Sequence, residues 1–450
     1  MIRQIYKGLI ELTNPFNINR LYELIIYFRR TTTGMIILGI ETSCDETAAS
    51  VIKADHGDLK VLANVVSSQV KLHAKWGGVV PNLAAREHLK NIVPVLKKTL
   101  EEARVSISEI DLLCVTQGPG LIPALLIGVS AAKTLSFFWE KPILGIHHIE
   151  GHIYANFIGV NPKSQETNSK QIKKSKNPKI SFPILCLVVS GGHTQLVLMK
   201  KHLHYEIVGQ TLDDAAGEAF DKVARILGLG YPGGPAIARK AMEISNLKSQ
   251  ISNKFKIQNS KFKINLPRPM MNKKNFDFSF SGLKTAVLYD IYPVKSAKGG
   301  PVTREFNGAR KHPNKLNDKN YVAAMAHEFQ QSVIDVLVSK TLKAAEKFHP
   351  KTIMLAGGVS ANQELRRQLG EAIKKKFHPV KSTNGGSAVQ KFNGVNKIKY
   401  ILPEIKYSLD NASMIAAAGF FRWQKMNAQQ KKSAFNNWKK IEADANLKLK

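Results

Sequence analysis

The hydrophobic pattern starts each half of the chain with the same unit, an apolar strand, a short polar turn and a second apolar strand. In the first half it predicts strands over residues 36–40 and 48–52. In the second half the run FPILCLVVSGGHTQLVLMKK predicts two more strands that meet at residues 190–194. Helix-type apolar spacing follows, as in residues 83–100. We therefore predict an α/β fold with two related halves that arose by duplication.

The division of the chain follows from shifts in composition. Its 450 residues suffice for two domains or one large pseudo-symmetric body. We assign residues 35–150 to a first half and residues 151–421 to a second, and expect the helix after residue 410 to pack back on the first half. We expect residues 1–34 to be a flexible extension, because they lack the pattern of a signal peptide. We expect residues 422–450 to be a basic tail. Four basic, low-complexity stretches predict insertions, at 161–180, 243–268, 294–320 and 380–398.

Charge and cysteine content narrow the class of protein. The formal net charge of +32 predicts a polyanionic partner such as RNA or DNA, although about half of the excess lies in three of the predicted insertions. No run of 18 apolar residues is present, and the nearest, 123–139, carries Lys133 and predicts a buried helix rather than a membrane span. Three widely spaced cysteines form neither a disulfide framework nor a metal knuckle. We expect a cytoplasmic protein without membrane contact.

The best candidate for chemistry is a histidine pair, His148 and His152, directly after an apolar run that predicts a buried strand. Residues four apart lie on one face of a helix, so both imidazoles can reach the same ion. A carboxylate must complete such a site, and Asp410 in YSLDNASMIA is the best candidate. Glu150 lies about 200° around the helix from either histidine. This spacing argues against a metalloprotease, which needs its glutamate beside a zinc-binding histidine.

Several turns carry more polar or glycine residues than their geometry requires. The turn ETSCDET includes Asp45 and Glu46 and predicts contact with a phosphate or a cation. Glycine-rich turns at 118–120, 231–234 and 357–358 would let the backbone approach a nucleoside or phosphate closely, although the first could be only a tight turn.

Taken together, these segments resemble the TsaD family of tRNA threonylcarbamoyladenosine transferases. The resemblance rests on eight motifs in colinear order between Met35 and Phe421, namely ETSCDET, GPGL, HIEGH, VSGGHTQL, AFDKVARILGLGYPGGP, DFSFSGLKTAV, GGVSAN and DNASMIA. Each motif alone is weak, whereas eight in order are very specific.

The resemblance implies a fold and a reaction. The fold is the actin-like ATPase (ASKHA) fold, with two RNase-H-like halves around a nucleotide cleft. The reaction transfers the threonylcarbamoyl group from threonylcarbamoyl-adenylate to the exocyclic amine of the adenosine next to the anticodon (position 37). The tRNAs concerned read codons that begin with A.

The resemblance also implies roles for individual residues. His148, His152 and Asp410 would bind one divalent metal ion, usually iron in this family, with zinc or magnesium as other candidates. Asp45 and Glu46 match acidic residues of the catalytic cleft. The residues implied in binding the adenylate are Val188, Val189, Ser190, Gly191, Gly192, Asp221, Gly234 and Asn362.

The partners implied by the resemblance are tRNA, a TsaB-like paralogue and a TsaE-like ATPase, and a homodimer stays open. Two other functions stay open as well. One is an ATPase or small-molecule kinase on the same scaffold, and the other is a non-catalytic nucleotide-binding module that serves a complex through its basic face.

Overall fold

The structure is a computed structural model. It describes residues 34–55, 57–159, 180–250, 264–292, 314–378 and 397–449. The predicted N-terminal extension and most of the four predicted insertions lie outside these residues.

The first half is built on a five-stranded sheet. Its strands are β1 (Met35–Glu41), β2 (Glu46–Asp55), β3 (Asp58–Ser68), β4 (Leu112–Gly118) and β5 (Ile143–His147), in the order β3-β2-β1-β4-β5. The β1–β2 and β2–β3 pairs are antiparallel, whereas β1–β4 and β4–β5 are parallel. The parallel strands β1 and β4 are almost wholly buried, which explains their continuous apolar sequence.

The second half repeats this arrangement. Its strands are β6 (Ile184–Val189), β7 (Thr194–Lys201), β8 (His204–Gln210), β9 (Thr352–Ala356) and β10 (Lys399–Ile401), in the order β10-β9-β6-β7-β8. The β6–β7 and β7–β8 pairs are antiparallel, and β6–β9 and β9–β10 are parallel. Both sheets therefore share one topology, and the predicted α/β fold with duplicated halves is confirmed.

Helices cover the sheets. They are α1 (Val70–Ala74), α2 (Pro81–Ala103), α3 (Ile122–Trp139), α4 (His148–Tyr154), α5 (Ala216–Ile226), α6 (Gly233–Gln250), α7 (Ser281–Ile291), α8 (Asn314–Asn317), α9 (Lys319–Phe348), α10 (Gln363–Phe377), α11 (Ala412–Lys425) and α12 (Ala428–Ser433). Helix α3 is long and apolar enough to cross a membrane by length and composition alone. Only 33% of it is buried, so the prediction of a buried helix holds for one of its faces.

Helix α11 follows the second sheet in sequence but packs on β1, β2 and β4 of the first, and on α4. Its residues from Ala412 to Phe421 are all buried. Close approach requires small residues, because a Cβ on Gly39 of β1 would collide with the Ala412 carbonyl oxygen, and one on Gly419 with the Cys114 sulfur. This packing brings the start of α11, and Asp410 just before it, to the first sheet.

Composition misled the sequence analysis at the ends of the predicted insertions. Residues 243–250 continue α6, and residues 314–320 form α8 and the start of α9. Leu266 is buried, and Arg268 pairs with Glu328 and Asp335. The predicted insertions 243–268 and 294–320 therefore overlap residues that the structure describes as helical or as paired with helix α9.

The predicted basic tail is also folded. Residues 422–425 belong to α11, and α12 and the 3₁₀ helix Ala434–Lys439 follow. Trp438 packs edge-on against Phe137 of α3 at 4.9 Å, and Ile441 is buried. The basic composition of this segment does not keep it from packing, because Ala434 and Ile441 are buried while Lys439 and Lys440 are exposed.

Candidate metal and nucleotide site

The candidate site lies at one edge of the first sheet. Strands β1, β4 and β5 run parallel, so their carboxyl ends share this edge. The polar turn ETSCDET follows β1, the GPG turn ends β4, and α4 with its two histidines follows β5 directly. Open α/β sheets place ligands at this edge.

The structure brings the three predicted metal ligands together. The Oδ1 atom of Asp410 lies 3.1 Å from Nε2 of His152 and 3.6 Å from Nε2 of His148. The candidate ligand atoms all lie within 4.8 Å of one another. Both histidines are buried, and the two rings are 4.7 Å apart and nearly perpendicular, at 83°.

The surroundings of His152 suit a metal ligand. Its side chain is fully buried, Nδ1 has no hydrogen-bond partner among the residues that the structure describes, and Nε2 faces the Asp410 carboxylate at 3.1 Å. Buried polar atoms without a partner are rare in native proteins. Two imidazoles and one carboxylate form a donor set that binds divalent transition metals and leaves coordination positions open. The residues present therefore fit a metal ion.

Glu41 stands behind His148 and was not predicted as a site residue. Its Oε2 lies 3.0 Å from Nδ1 of His148 and accepts a hydrogen bond from the Thr116 hydroxyl at 2.6 Å. Its Oε1 accepts from the Ser43 amide at 2.5 Å. Because the carboxylate accepts at Nδ1, the proton of a neutral His148 lies there and Nε2 is left to bind a metal. The only signal in the sequence is the position of Glu41 at the end of β1, opening the polar turn.

The charges of this cluster depend on one another. Burial lowers the pKa of His148, but the carboxylates of Asp410 and Glu41 outweigh burial and raise this pKa to about 9. Burial raises the pKa of Asp410, but His148 and His152 outweigh it and lower the pKa to about 2. In the metal-free protein the protonated ring of His148 therefore lies between the carboxylates of Asp410 and Glu41. Its positive charge occupies the position where a cation would bind.

The backbone of the acidic turn is held from two sides. The Gln69 amide donates to the Asp45 carbonyl at 2.9 Å, and Nε2 of His88 donates to the Cys44 carbonyl at 3.0 Å. Asp45 is buried and the Glu46 side chain accepts from the Ser68 hydroxyl. Burial, and then the charges of Asp45 and Asp410, raise the pKa of Glu46 well above its usual range.

The second half contributes an open glycine turn. Val188 and Val189 end strand β6 and are buried, and the turn closes through a hydrogen bond from the Ser190 amide to the His193 carbonyl at 2.8 Å. No heavy atom lies within 4 Å of a Cβ built on Gly191 or Gly192. The two glycines therefore leave room beside their backbone, as the sequence analysis expects of a phosphate-binding turn.

Of the remaining residues predicted to bind the adenylate, Gly234 faces open space, whereas Asp221 and Asn362 are hydrogen-bonded within the protein. A Cβ on Gly234 meets open space, whereas the Asp221 carboxylate accepts from the Gly233 amide at 2.7 Å. Asn362 caps α10, accepting from the Leu365 amide at 3.0 Å, and donates to Gln330 at 2.9 Å. Its side chain is thus engaged within the protein.

Tyr231 opens the glycine-rich turn that the sequence predicts at 231–234. Burial raises its pKa, and the charges of Asp45 and Asp221 raise it further. Asp45 belongs to the first half and Asp221 to the second, so charges from both halves act on this ring. Arg225 also donates to the Gly77 carbonyl and connects the two halves.

The GPG turn and Glu150 are both engaged in contacts within the protein. The glycines of the GPG turn contact protein, because a Cβ on Gly118 would collide with Asp444 and one on Gly120 would lie 2.6 Å from the Ser43 carbonyl oxygen. Glu150 is fully buried and forms a bidentate ion pair with Arg422. Nε of the arginine donates to Oε1 at 2.7 Å and Nη2 donates to Oε2 at 2.5 Å. It is therefore committed to a structural contact away from the paired histidines, as its spacing predicts.

Comparison with known proteins finds chains that are similar over most of this sequence. The family model described as TsaD, tRNA N6-adenosine threonylcarbamoyltransferase, matches residues 60–417. A protein of that name from Thermosipho africanus is 42% identical over 393 residues, 87% of this chain and 95% of the relative. One from Thermomicrobium roseum is 44% identical over 396 residues, 87% of this chain and 93% of the relative. Among solved structures, T. kodakarensis HypF aligns with 88% of this chain and 49% of its own, at 10% identity and a TM-score of 0.48.

Proposed function

Because the chain belongs to the tRNA N6-adenosine threonylcarbamoyltransferase family, it is an acyltransferase of tRNA modification, and we propose that His148, His152 and Asp410 hold its metal ion. The proposal is supported by the convergence of their ligand atoms and by the burial of both histidine side chains. We propose iron as the metal, since two histidines and one carboxylate with open positions are typical of non-haem Fe²⁺. When bound, the ion would act as a Lewis acid toward the donor carbonyl.

The donor in this proposal is threonylcarbamoyl-adenylate, held by the second half of the chain. The open turn formed by Ser190, Gly191 and Gly192 would supply backbone donors to the phosphate, with Val188 and Val189 beside it. Asp221 and Gly234 would hold the ribose, supported by the open space at Gly234. Asn362 would reach the adenine end, for which its bond to Gln330 must be exchanged.

The acceptor is the exocyclic amine of the adenosine at position 37 in tRNAs that read codons beginning with A. The amine nitrogen attacks the carbamoyl carbon, the bond from that carbon to the phosphate oxygen breaks, and AMP leaves. The amine loses one proton. We assign Asp45 or Glu46 to orienting the amine or taking that proton, because both carboxylates belong to the acidic turn that follows β1 at the edge of the sheet where the histidines lie.

The exposed apolar side chains of α2 and α3 support a protein partner. These two helices pack against each other, and Leu89 and Val93 of α2 are 65% and 68% exposed. On α3, Leu126 is 49% exposed. We propose that this face, defined by these three residues, binds a TsaB-like paralogue. A TsaE-like ATPase and a homodimer are further assemblies that we propose, in the cytoplasm.

The test is mass spectrometry of tRNA nucleosides from cells depleted of this protein. We expect threonylcarbamoyladenosine to fall and to return with the wild-type chain, but not with a His152→Ala, Asp410→Ala variant. Unchanged threonylcarbamoyladenosine on depletion would refute the activity. The relatives do not favour the ATPase or kinase alternative, and substrate phosphorylation that survives His148→Ala would be needed to revive it.

A further inference from the structure

The last described residues, 441–449, form what we call the C-terminal strap, which crosses the ends of β4 and β5. The Asp444 amide donates to the Gln117 carbonyl at 2.9 Å. The imidazole Nε2 of His147 donates to the Leu447 carbonyl at 2.9 Å. Ile441, which is 6% exposed, anchors the start of the strap in the core beside α3. The strap is therefore packed and hydrogen-bonded at both ends.

Gly118 shows how closely the strap approaches. A Cβ at this position would collide with the carbonyl oxygen of Asp444 and lie 3.1 Å from the Cβ of Leu447. The backbone of β4 thus needs a glycine here to admit the strap. This contact gives the first glycine of the GPG turn a role within the fold rather than toward a ligand.

His147 connects the strap to the metal-binding helix. Its ring is 5% exposed, and Nδ1 accepts a hydrogen bond from the Ile149 amide at 3.1 Å, which caps α4. Since Nε2 donates to the strap and Nδ1 accepts from the helix, one neutral tautomer satisfies both contacts. The strap carbonyl thereby fixes the ring that caps the helix.

Helix α4 needs such support. It has only seven residues, and an isolated helix of that length does not hold its shape in water. Its two candidate ligands, His148 at its first position and His152 one turn later, both lie close to Asp410. A small rotation of the first turn would separate their Nε2 atoms.

We infer that the C-terminal strap is a positioning element of the metal site, which acts through His147 to hold the first turn of α4 in its metal-binding orientation. The inference rests on the proposed function, in which His148 and His152 bind the metal. His147 is a positioning residue here, because its ring contacts the strap and the helix backbone. The family match ends at residue 417, before the strap begins.

The test compares two truncations of the full chain. One ends at Lys440 and lacks the strap, and the matched control ends at Lys448 and keeps Asp444 and Leu447. Two readouts need no tRNA, namely Co²⁺ affinity from its visible absorption and amide hydrogen exchange of residues 149–154 in the metal-free protein. We expect the shorter chain to bind Co²⁺ about 10-fold more weakly, as for other residues that orient metal ligands, and to exchange at least about 10-fold faster. The control should match the wild type.

A point variant keeps the test decisive if the shorter chain does not fold. In His147→Asn the side chain can still cap α4 but is too short to reach Leu447, so it should weaken Co²⁺ binding by a similar factor. Wild-type affinity and exchange in the Lys440 truncation, or in His147→Asn, would overturn the inference. Absence of threonylcarbamoyladenosine formation by the wild-type chain would instead refute the proposed function and leave these two readouts unaffected.

Discussion

The Nδ1 atom of His148 lies 3.0 Å from the Oε2 atom of Glu41, on the side of the ring away from Asp410. This contact assigns the two nitrogens of the ring to different tasks, one to the protein and one to the metal. Carboxylates in this position orient the ligand and raise its basicity.

We therefore predict that Glu41→Gln weakens metal binding. The amide keeps the shape of the side chain but removes its charge and sets an N–H group against the Ser43 amide or the Thr116 hydroxyl. Metal affinity should fall about 10- to 100-fold, measured by competition with a chelator. The control is Glu218→Gln, an exposed glutamate paired with Lys222, which should bind metal as the wild type does. Equal affinity in Glu41→Gln and the control would contradict the assignment.

A second prediction separates the acidic turn from the metal. Glu46→Gln removes the proposed proton acceptor without touching a ligand side chain. The single-turnover rate of threonylcarbamoyladenosine formation should fall about 100-fold or more, while metal affinity stays within twofold. Metal loss that tracks the loss of rate would show that Glu46 acts through the metal site instead.

Site residues that are close together in the sequence could be predicted from it, whereas residues brought together from distant segments could not. The two histidines share one helix turn, so their spacing alone indicates a common ion, and the fold repeats a strand–turn–strand unit that apolar runs reveal. Asp410 is 258 residues beyond His152, so no spacing in the sequence connects it to the two histidines. Glu41 and His147 carry no spacing signal, because their partners come from other segments. The packed strap was missed since lysine and asparagine dominate its surroundings.

The third prediction concerns the apolar face of α2 and α3. Placing charges there with Leu89→Asp and Val93→Asp should weaken binding of a TsaB-like partner about 10-fold or more, because both side chains lose apolar burial. The measurement is sedimentation of the mixed proteins. Tyr289→Asp changes a similarly exposed residue, 52% exposed, in the second half and serves as the control. Unchanged binding in the double variant would place the partner elsewhere.

A fourth prediction concerns stability in acid. The ring of His202 lies beside those of Tyr154 and Phe421, with centroids 5.9 and 4.4 Å away, and burial together with Lys425 lowers its pKa to about 4. Between pH 6.5 and 4 His202 is protonated in the unfolded chain but stays neutral in the folded chain. The free energy of unfolding therefore falls as the pH falls through this window.

His202→Phe should keep the stacking and remove this titration. Urea unfolding at several pH values should show that the free energy of unfolding falls less steeply as the pH falls. The change in slope should correspond to the uptake of up to one proton fewer per chain on unfolding. The variant should also lose the hydrogen bond from the Tyr154 hydroxyl, which costs about 1 kcal/mol at neutral pH. An unchanged slope would show that His202 does not titrate in this window.

The most direct test of the central claim is metal stoichiometry measured beside transfer activity in one preparation. The account predicts about one Fe²⁺ per wild-type chain, loss of both metal and threonylcarbamoyladenosine formation in Asp410→Ala, and recovery of the chelator-stripped wild type when Fe²⁺ is returned. Full transfer activity by a metal-free wild type, or by Asp410→Ala, would contradict it.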